Sequence, residues 1–263
     1  MTFWEHLDAL RSTLVRIIVA ALVGGVVAFF FKEPLFNIVL APSRSDFITY
    51  RWLSRISAFD TPFHLDLINV ELAQQFMIHL KIALYAGLLL VSPYVLYAFF
   101  DYISPALYPR ERGNALKAVG GGYLMFIVGL LVCYLIIFPL TLRFLATYQV
   151  SESIVNHITL TSYISTLLIL SLSMGIVFEL PILCWLMAKM GILRATFMKK
   201  YRRHAIVIIL ILAAIITPSG DAFTLFVVSL PIYLLYELSI LIVGRTVHVS
   251  APDSTTTADG NQK

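Results

Sequence analysis

The stretch SPYVLYAFFDYISPALYPRER, residues 92–112, decides the fold. It begins as an apolar segment that carries Pro93, continues into a belt of aromatic side chains, and ends in a short loop with charges at Arg110, Glu111 and Arg112. Aromatic rings settle at the membrane interface, and basic residues stay on its cytoplasmic side. The stretch therefore predicts a membrane helix that leaves the bilayer on the cytoplasmic side.

Glu111 is not explained by that topology. A carboxylate between two arginines, on a loop stiffened by Pro105 and Pro109, is suited to accept hydrogen bonds from a visiting guanidinium. The alternative is a local salt bridge that only solvates a turn.

Composition assigns the chain to the integral membrane proteins. Of its 263 residues, 59% are hydrophobic and 13% are charged, whereas a soluble domain carries about 25% charged residues. No removable signal peptide is recognised, so the first apolar stretch is expected to remain as a membrane helix. The net charge of +4 follows from positive-inside topology, and no nucleic-acid partner is predicted.

Cysteine and histidine usage points to no covalent or metal chemistry. Cys133 and Cys184 both fall inside apolar segments, near opposite membrane faces, so a disulfide between them is not expected. The six histidines show no ligand spacing, and no nucleotide-binding glycine loop or nucleophile elbow is present. We predict neither a metal nor a cofactor.

Hydrophobic runs predict an all-α polytopic membrane protein with six transmembrane helices. Their expected ranges are about 14–31, 73–100, 115–138, 160–188, 204–216 and 222–243. The fifth is too short to cross a full bilayer unless the membrane thins or neighbouring helices shield it. The sixth is expected to be interrupted at Pro231 and Glu237.

Three further segments and a domain boundary complete the predicted organisation. Residues 1–12 have the pattern of an interfacial amphipathic helix, and residues 32–69 mix charges and aromatics in the manner of a folded external cap. Residues 1–249 are expected to form a single membrane domain, followed by a disordered cytoplasmic tail at 250–263.

Basic residues set the predicted orientation. Both termini and the loops at 101–114 and 189–203 are expected in the cytoplasm, with 32–72, 140–159 and 217–221 outside. Prolines within or at the ends of the helices predict a curved bundle, although bending could serve packing alone. These are Pro93, Pro139, Pro181 and Pro231.

Sequence motifs along most of the chain now carry a resemblance. In chain order they are HLDALR at 6–11, Phe76 with Lys81, Ser92-Pro93 with Tyr97, PALYPRER at 105–112, Gly129 with Tyr134, Gly175 with Phe178-Glu179 and Pro181, Thr217-Pro218 with Asp221, and Pro231 with Tyr236-Glu237. Together they resemble the twin-arginine translocase TatC family.

The resemblance implies a six-helix, glove-like protein of the bacterial cytoplasmic (inner) membrane that is not an enzyme. It implies a receptor for the twin-arginine signal peptide of folded precursors, with transport driven by the proton-motive force. The implied partners are TatA- and TatB-type single-span proteins and further copies of the chain in a homo-oligomeric assembly.

For signal-peptide binding, Glu111 matches the family's glutamate in the first cytoplasmic loop. The family's second glutamate falls at Ala9, so this chain departs from the pattern and leaves Glu5 or Asp8 as the substitute; a helix that only anchors at the interface is the alternative. The remaining expected contacts are Arg11, Pro105, Leu107, Tyr108 and Arg112.

Inside the membrane, Glu179 stands out because an ionisable group there costs about 2.5 to 3.5 kcal/mol on insertion scales. It should face a cavity or a partner, or else be a protonated glutamate bonded within its own bundle. Thr224 or Leu225 occupies the family's polar position after the turn at 217–221. The other expected intramembrane or partner contacts are Phe178, Pro181, Thr217, Asp221, Tyr236 and Glu237.

A small secondary transporter is the rival interpretation. Lys81 and Glu179 would then form a substrate or proton site at mid-membrane, whereas Lys81 could equally extend its charge to the outer interface. The chain shows no convincing internal repeat of the kind such transporters carry.

Overall fold

The first membrane helix is longer than predicted. The computed structural model describes residues 3–55, 65–103, 112–149, 151 and 156–248, and α1 runs without a break over Phe3–Phe29. The boundary expected near residue 13 is absent from the backbone, and the interfacial position of residues 1–12 stays a prediction. Ser12 and Thr13 can remain helical, and neither proline nor glycine interrupts the backbone hydrogen bonds there.

A folded cap follows α1, as expected from its composition. It contains α2 (Lys32–Leu40), a 3₁₀ turn (Ala41–Ser43) and α3 (Ile48–Ser54). After it, β1 (Leu67–Ile68) pairs in parallel with β2 (Ile158–Thr159). The sequence did not predict these strands, because two residues are too few to show alternation.

The second span, α4, covers Gln74–Ile103 and includes Pro93. It packs closely along α1, and glycine makes that approach possible: a Cβ added at Gly87 would lie 2.1 Å from the backbone nitrogen of Gly25. The helices are antiparallel, since the ring of Phe29 meets that of Phe76 near the start of α4. The N-terminal end of α1 therefore lies at the same end of the bundle as Ile103.

The third span does not end near residue 138. It comprises α5 (Arg112–Val132), a π-helical turn (Cys133–Ile137) and α6 (Phe138–Thr147). Within the turn, the N–H of Phe138 bonds to the carbonyl of Cys133, five residues earlier. Pro139 explains the turn, because its ring clashes with the carbonyl four residues before it and it has no N–H to donate. The chain absorbs the proline as a π-turn and remains helical.

The fourth span is interrupted by a turn, whereas the third remains helical throughout. It consists of α7 (Leu160–Val177) and α8 (Leu180–Lys189), with Phe178 and Glu179 in turn conformation between them. Pro181 lies in the first turn of α8 and cannot donate to the carbonyl of Val177. The interruption therefore falls just before that proline and at the intramembrane glutamate.

Three helices complete the fold: α9 (Ala195–Lys200), α10 (Arg202–Ile216) and α11 (Ala222–His248). The predicted interruption of the last span is wrong, because α11 continues through both Pro231 and Glu237. A proline removes one helical hydrogen bond, which a packed membrane helix tolerates.

Five helical segments of the described chain are long and apolar enough to cross a membrane, at Leu7–Phe29, Gln74–Phe99, Val119–Thr147, Leu160–Lys189 and Ala222–Thr246. The fifth predicted span, α10, is about 22 Å long at 1.5 Å per residue, less than a hydrocarbon core of about 30 Å. The predicted tail at 250–263 lies outside the described residues.

The cap is fixed to the bundle by tyrosine hydroxyls. Tyr134 of the π-turn donates to the carbonyl of Ile38 at 2.6 Å, and Tyr163 of α7 donates to that of Val39 at 2.9 Å. From the cap itself, the buried Tyr50 hydroxyl reaches the carbonyls of Pro42 and Pro139. The main hydrophobic core lies beneath these contacts, where α4, α7, α11 and the π-turn meet.

Candidate functional site

Glu179 occupies the break between α7 and α8. Its N–H bonds to the carbonyl of Ile176, three residues earlier, and its own carbonyl accepts the N–H groups of Ile182 and Leu183. The backbone is thus fully used in joining the two helices. The side chain is only 8% exposed, and its Oε1 atom has no hydrogen-bond partner among the described residues.

The Glu179 side chain lines an open cavity of about 330 Å³ between α4, α5 and the α7–α8 break. Glu179 is the one ionisable residue among those lining it, and the hydroxyl of Ser92 is already donated to the carbonyl of Leu89. We call this space the Glu179 cavity. Its lining residues are Leu88, Ser92, Val95, Leu96, Phe99, Phe126, Leu172, Ile176, Glu179 and Leu183.

This arrangement can form a hydrogen bond to a group that enters from outside the chain. A buried polar atom without a partner costs free energy that a visiting donor or acceptor recovers. The surrounding apolar walls would accept the aliphatic side chains of a helix. The sequence also allowed a glutamate that forms hydrogen bonds within its own bundle. Among the described residues, no group bonds to Oε1 in this way.

Lys81 does not join Glu179. Its side chain is exposed on α4 and is not among the residues that line the Glu179 cavity. The paired mid-membrane site that a secondary transporter would need is therefore not assembled by these two residues.

Phe178 and Pro181 are buried beside Glu179 and serve packing. Phe178 is 6% exposed, and a Cβ added at Gly129 of α5 would lie 2.8 Å from its side chain. Pro181 is also buried. Both residues set the position of the carboxyl group, and neither offers much surface to a partner.

Asp221 acts on its own chain as the cap of α11. Its Oδ1 accepts the N–H of Thr224 at 2.7 Å, and its Oδ2 accepts the hydroxyl of Ser219 at 2.5 Å. Partial desolvation opposes ionisation, but these hydrogen bonds outweigh it and lower the pKa of Asp221. The spacing of an aspartate just before an apolar helix is a capping signal that the sequence contained.

Thr217 and Thr224 are both buried within the bundle. The Thr217 hydroxyl donates to the carbonyl of Ala213 at 2.9 Å, and its side chain is buried. Thr224 is fully buried. The family's polar position therefore offers no exposed hydroxyl at Thr224.

Glu237 and Tyr236 connect α11 to the helices that precede it. Glu237 accepts Arg202 Nη2 at 2.7 Å and the Tyr233 hydroxyl at 3.1 Å. The Tyr236 hydroxyl donates to the carbonyl of Met198 in α9 at 2.8 Å. Glu237 was expected to contact a partner or to reach the interface, and sequence reasoning missed Arg202 because 35 positions separate the pair.

The predicted signal-peptide residues are only partly described. Asp8 and Arg11 are exposed on α1, at the end of the bundle where α4 finishes and α5 begins. Arg112 is the first residue of α5, but its side chain, like that of Glu5, is outside the described part. Glu111, Pro105, Leu107 and Tyr108 lie outside the described residues altogether.

Within the described ranges, no three His, Cys, Asp or Glu side chains come together as a metal site. The free thiols Cys133 and Cys184 are not joined. The absence of a metal or cofactor stays a prediction.

Fold and site together define a multi-pass α-helical membrane protein with a buried glutamate that lines an apolar cavity. Residues 5–231 match the family model of the Sec-independent protein translocase protein TatC. The chain belongs to this TatC family.

Relatives support the assignment over nearly the full length. The TatC protein of Blattabacterium sp. subsp. Periplaneta americana is 34% identical over 252 residues, covering 92% of this chain and 94% of that protein. TatC of Aquifex aeolicus is 32% identical over 243 residues, covering 92% of this chain and 94% of that protein. A crystal structure described as the twin-arginine translocase receptor TatC superposes with a TM-score of 0.74 at 32% identity. The match covers 92% of this chain and 99% of that one.

These comparisons confirm the predicted all-α, six-span membrane fold. They also confirm the location as a multi-pass protein of the bacterial cytoplasmic membrane. The short α10 corresponds to the fifth span predicted from the sequence. The orientation of the termini and the assembly into oligomers stay predictions.

Proposed function

We propose that this chain is the receptor subunit of a twin-arginine export system. It binds the twin-arginine signal peptide of folded precursors and recruits TatA- and TatB-type single-span proteins, and transport is driven by the proton-motive force. Membership of the TatC family supports this function, as does the likeness to structures described as the twin-arginine translocase receptor.

The observation that carries the recruitment step is that Glu179 lines an apolar cavity while its buried Oε1 has no hydrogen-bond partner among the described residues. A single-span helix with one polar side chain could place that group against Glu179 and its apolar face against the cavity walls. Hydrogen bonds between membrane helices contribute about 0.6 to 2 kcal/mol. Such a contact is strong enough to select a partner and weak enough to be released.

Signal-peptide binding is proposed at the end of the bundle where α1 begins. The guanidinium fork of arginine matches a carboxylate in a bidentate way, and two arginines call for two acceptors. Glu111 is the first. The exposed Asp8, or Glu5 one helical turn earlier, is the second, because α1 brings both to the end where α4 finishes and the chain continues towards Glu111.

Site-specific photo-crosslinking tests the recruitment step. A photo-reactive residue at Ile176, which lines the Glu179 cavity, should capture a co-expressed TatB-type protein, and Glu179→Leu should remove most of that product. The same probe at Val23, exposed on α1, serves as a lipid-facing control. If the probe at Ile176 captured equal amounts of the TatB-type protein with and without Glu179→Leu, Glu179 would not be needed for partner recruitment.

A further inference from the structure

The segment from the end of α8 to the start of α10 carries an unusual concentration of positive charge. It holds six basic residues between positions 189 and 203, while no acidic residue occurs between Glu179 and Asp221. Four of the six have exposed side chains that make no ion pair with any described residue. We call these four residues the basic platform: Arg194, Lys199, Lys200 and Arg203.

The two remaining cations are used differently. Arg202 is neutralised by Glu237 at 2.7 Å, and the Lys189 amino group lies 6.0 Å from the ring centre of the half-buried Trp185. Internal electrostatics thus account for Arg202, whereas the basic platform has no acidic counterpart in the described chain.

The basic platform is fixed at the end of the bundle where α8 finishes and α10 begins. Gly191, with a φ of 74°, ends α8 and turns the chain back, and the N–H of Ile192 closes the turn on the carbonyl of Met187. The side chain of Met198 is buried against Ala188, Ile240 and Val243. With the bond from Tyr236 to its carbonyl, α9 is fixed against α11.

Apolar side chains stand exposed among these cations. Phe197 is 56% exposed and Ile192 is 62% exposed, and the Lys200 amino group lies 5.9 Å from the ring centre of Tyr201. Exposed apolar and aromatic groups beside lysine stems are typical of a surface that rests at the level of lipid headgroups. A surface facing only water would leave more than half of the Phe197 and Ile192 surfaces in contact with water.

We propose that the basic platform binds the phosphate headgroups of anionic phospholipids in the leaflet that surrounds the end of α8. Phe197 and Ile192 enter the acyl boundary, and the four cations contact the phosphates above it. Charge complementarity selects this occupant, because clusters of four or more basic residues directly beside a membrane helix attract anionic lipids. The rival occupant, an acidic segment of a partner protein, would not require exposed apolar side chains at the same level.

Lipid titration of the full chain tests the proposal. Purified protein in neutral detergent is titrated with phosphatidylglycerol or phosphatidylcholine, and bound lipid is counted by native mass spectrometry. The triple change K199Q/K200Q/R203Q should lower phosphatidylglycerol affinity about a hundredfold, since each basic residue contributes about a fivefold factor. Phosphatidylcholine binding should not change.

A matched control removes the same number of positive charges from the cap, at the opposite end of the bundle. K32Q/R44Q/R55Q alters three exposed cations of the cap region and should leave phosphatidylglycerol affinity within about twofold, well inside the effect of a single basic residue. Equal losses in both triple variants, or no loss in the platform variant, overturn the proposal. An unchanged lipid affinity together with lost binding of a partner protein would assign the platform to that partner instead.

Two measurements on the unmodified chain keep the test decisive if the platform variant does not fold. Phosphatidylglycerol binding should weaken strongly at about 1 M salt, where the Debye length is about 3 Å. Inorganic phosphate should not displace the lipid, because it lacks the acyl chains that Phe197 and Ile192 contact. Salt-insensitive binding, or displacement by inorganic phosphate, overturns the lipid assignment.

Discussion

The hydroxyl of Thr49, in the cap, donates a hydrogen bond to the carbonyl of Leu135, in the π-turn of the third span. Leu135 precedes Pro139 by four residues, so this carbonyl is the one that an α-helical N–H at position 139 would have bonded. The cap therefore supplies the donor that proline withholds. A proline in a membrane helix is compensated here by a side chain from outside the membrane segments.

Thr49→Val should destabilise the protein by about 1 to 3 kcal/mol, because it removes the donor and leaves the Leu135 carbonyl without it. Thr49→Ser keeps the hydroxyl and is the matched control. The measurement is thermal unfolding in detergent. In the background of Pro139→Ala, which restores an N–H, the cost of Thr49→Val should shrink; an undiminished cost would show that the two residues are not coupled.

Asp221→Ala should cost about 0.5 to 2 kcal/mol of stability through loss of the helix cap, whereas Asp221→Asn and Asp221→Ser should retain most of it. The comparison is made by thermal unfolding. If alanine and asparagine behaved alike and both abolished export without loss of stability, Asp221 would act on a partner and not on α11.

The same carboxyl group predicts a pH dependence. The folded state lowers the pKa of Asp221, so below its ordinary value of about 3.9 the unfolded chain binds more protons than the folded one. The stabilisation is complete above that value and is lost as pH falls through the lower folded pKa. Thermal midpoints recorded from neutral to acidic pH should therefore fall less in Asp221→Asn than in the unmodified chain.

Glu179→Leu should leave stability unchanged or raise it, yet impair export and partner crosslinking. Glu179 lines an apolar cavity and its buried Oε1 has no partner among the described residues, so an apolar side chain removes the cost of burying that oxygen. Unfolding and transport assays on the same variant decide the matter. Lost stability with normal export would make Glu179 a structural residue.

Glu111→Ala should abolish precursor binding. Truncating one member of a desolvated charge pair costs about 2 to 5 kcal/mol, against less than about 1 kcal/mol for an exposed pair. The size of the defect therefore reports how far the contact is shielded from water. Unchanged precursor affinity in detergent would remove Glu111 from the binding site.

The second acceptor is tested on α1. Glu5 and Ala9 share a helix face, since they lie four residues apart, whereas Asp8 points about 100° away from Ala9. We expect Glu5→Gln to weaken precursor binding more than Asp8→Asn, and Ala9→Glu to restore binding in the Glu5→Gln background. If both neutralisations are silent, Glu111 acts without a second carboxylate from this helix.

The membrane spans were predictable because a long apolar run has few alternatives to a helix in a bilayer. The response to each proline was not: Pro139 produces a π-turn, Pro181 a break, and Pro231 no interruption in α11. These outcomes depend on which neighbouring groups replace the missing hydrogen bond. Thr49 does so for Leu135 from 86 residues away, and no local pattern announces it.

Only part of the candidate site could be predicted from the sequence. The cost of a charge in hydrocarbon singled out Glu179 without any structure. The cavity around it could not be foreseen, because its walls come from α4, α5 and α7. For Asp221, Tyr236 and Glu237 the family motifs suggested partner contacts, whereas the structure shows bonds within the chain.

The bonds that hold the cap also imply an order of biogenesis. Thr49, Ile38 and Val39 leave the ribosome well before their partners at Leu135, Tyr134 and Tyr163. While only the first two spans exist, the cap lacks the groups that fix it. Its closure must therefore wait until the third and fourth spans have been inserted, which makes the ordered cap a marker that two-thirds of the membrane domain has already assembled.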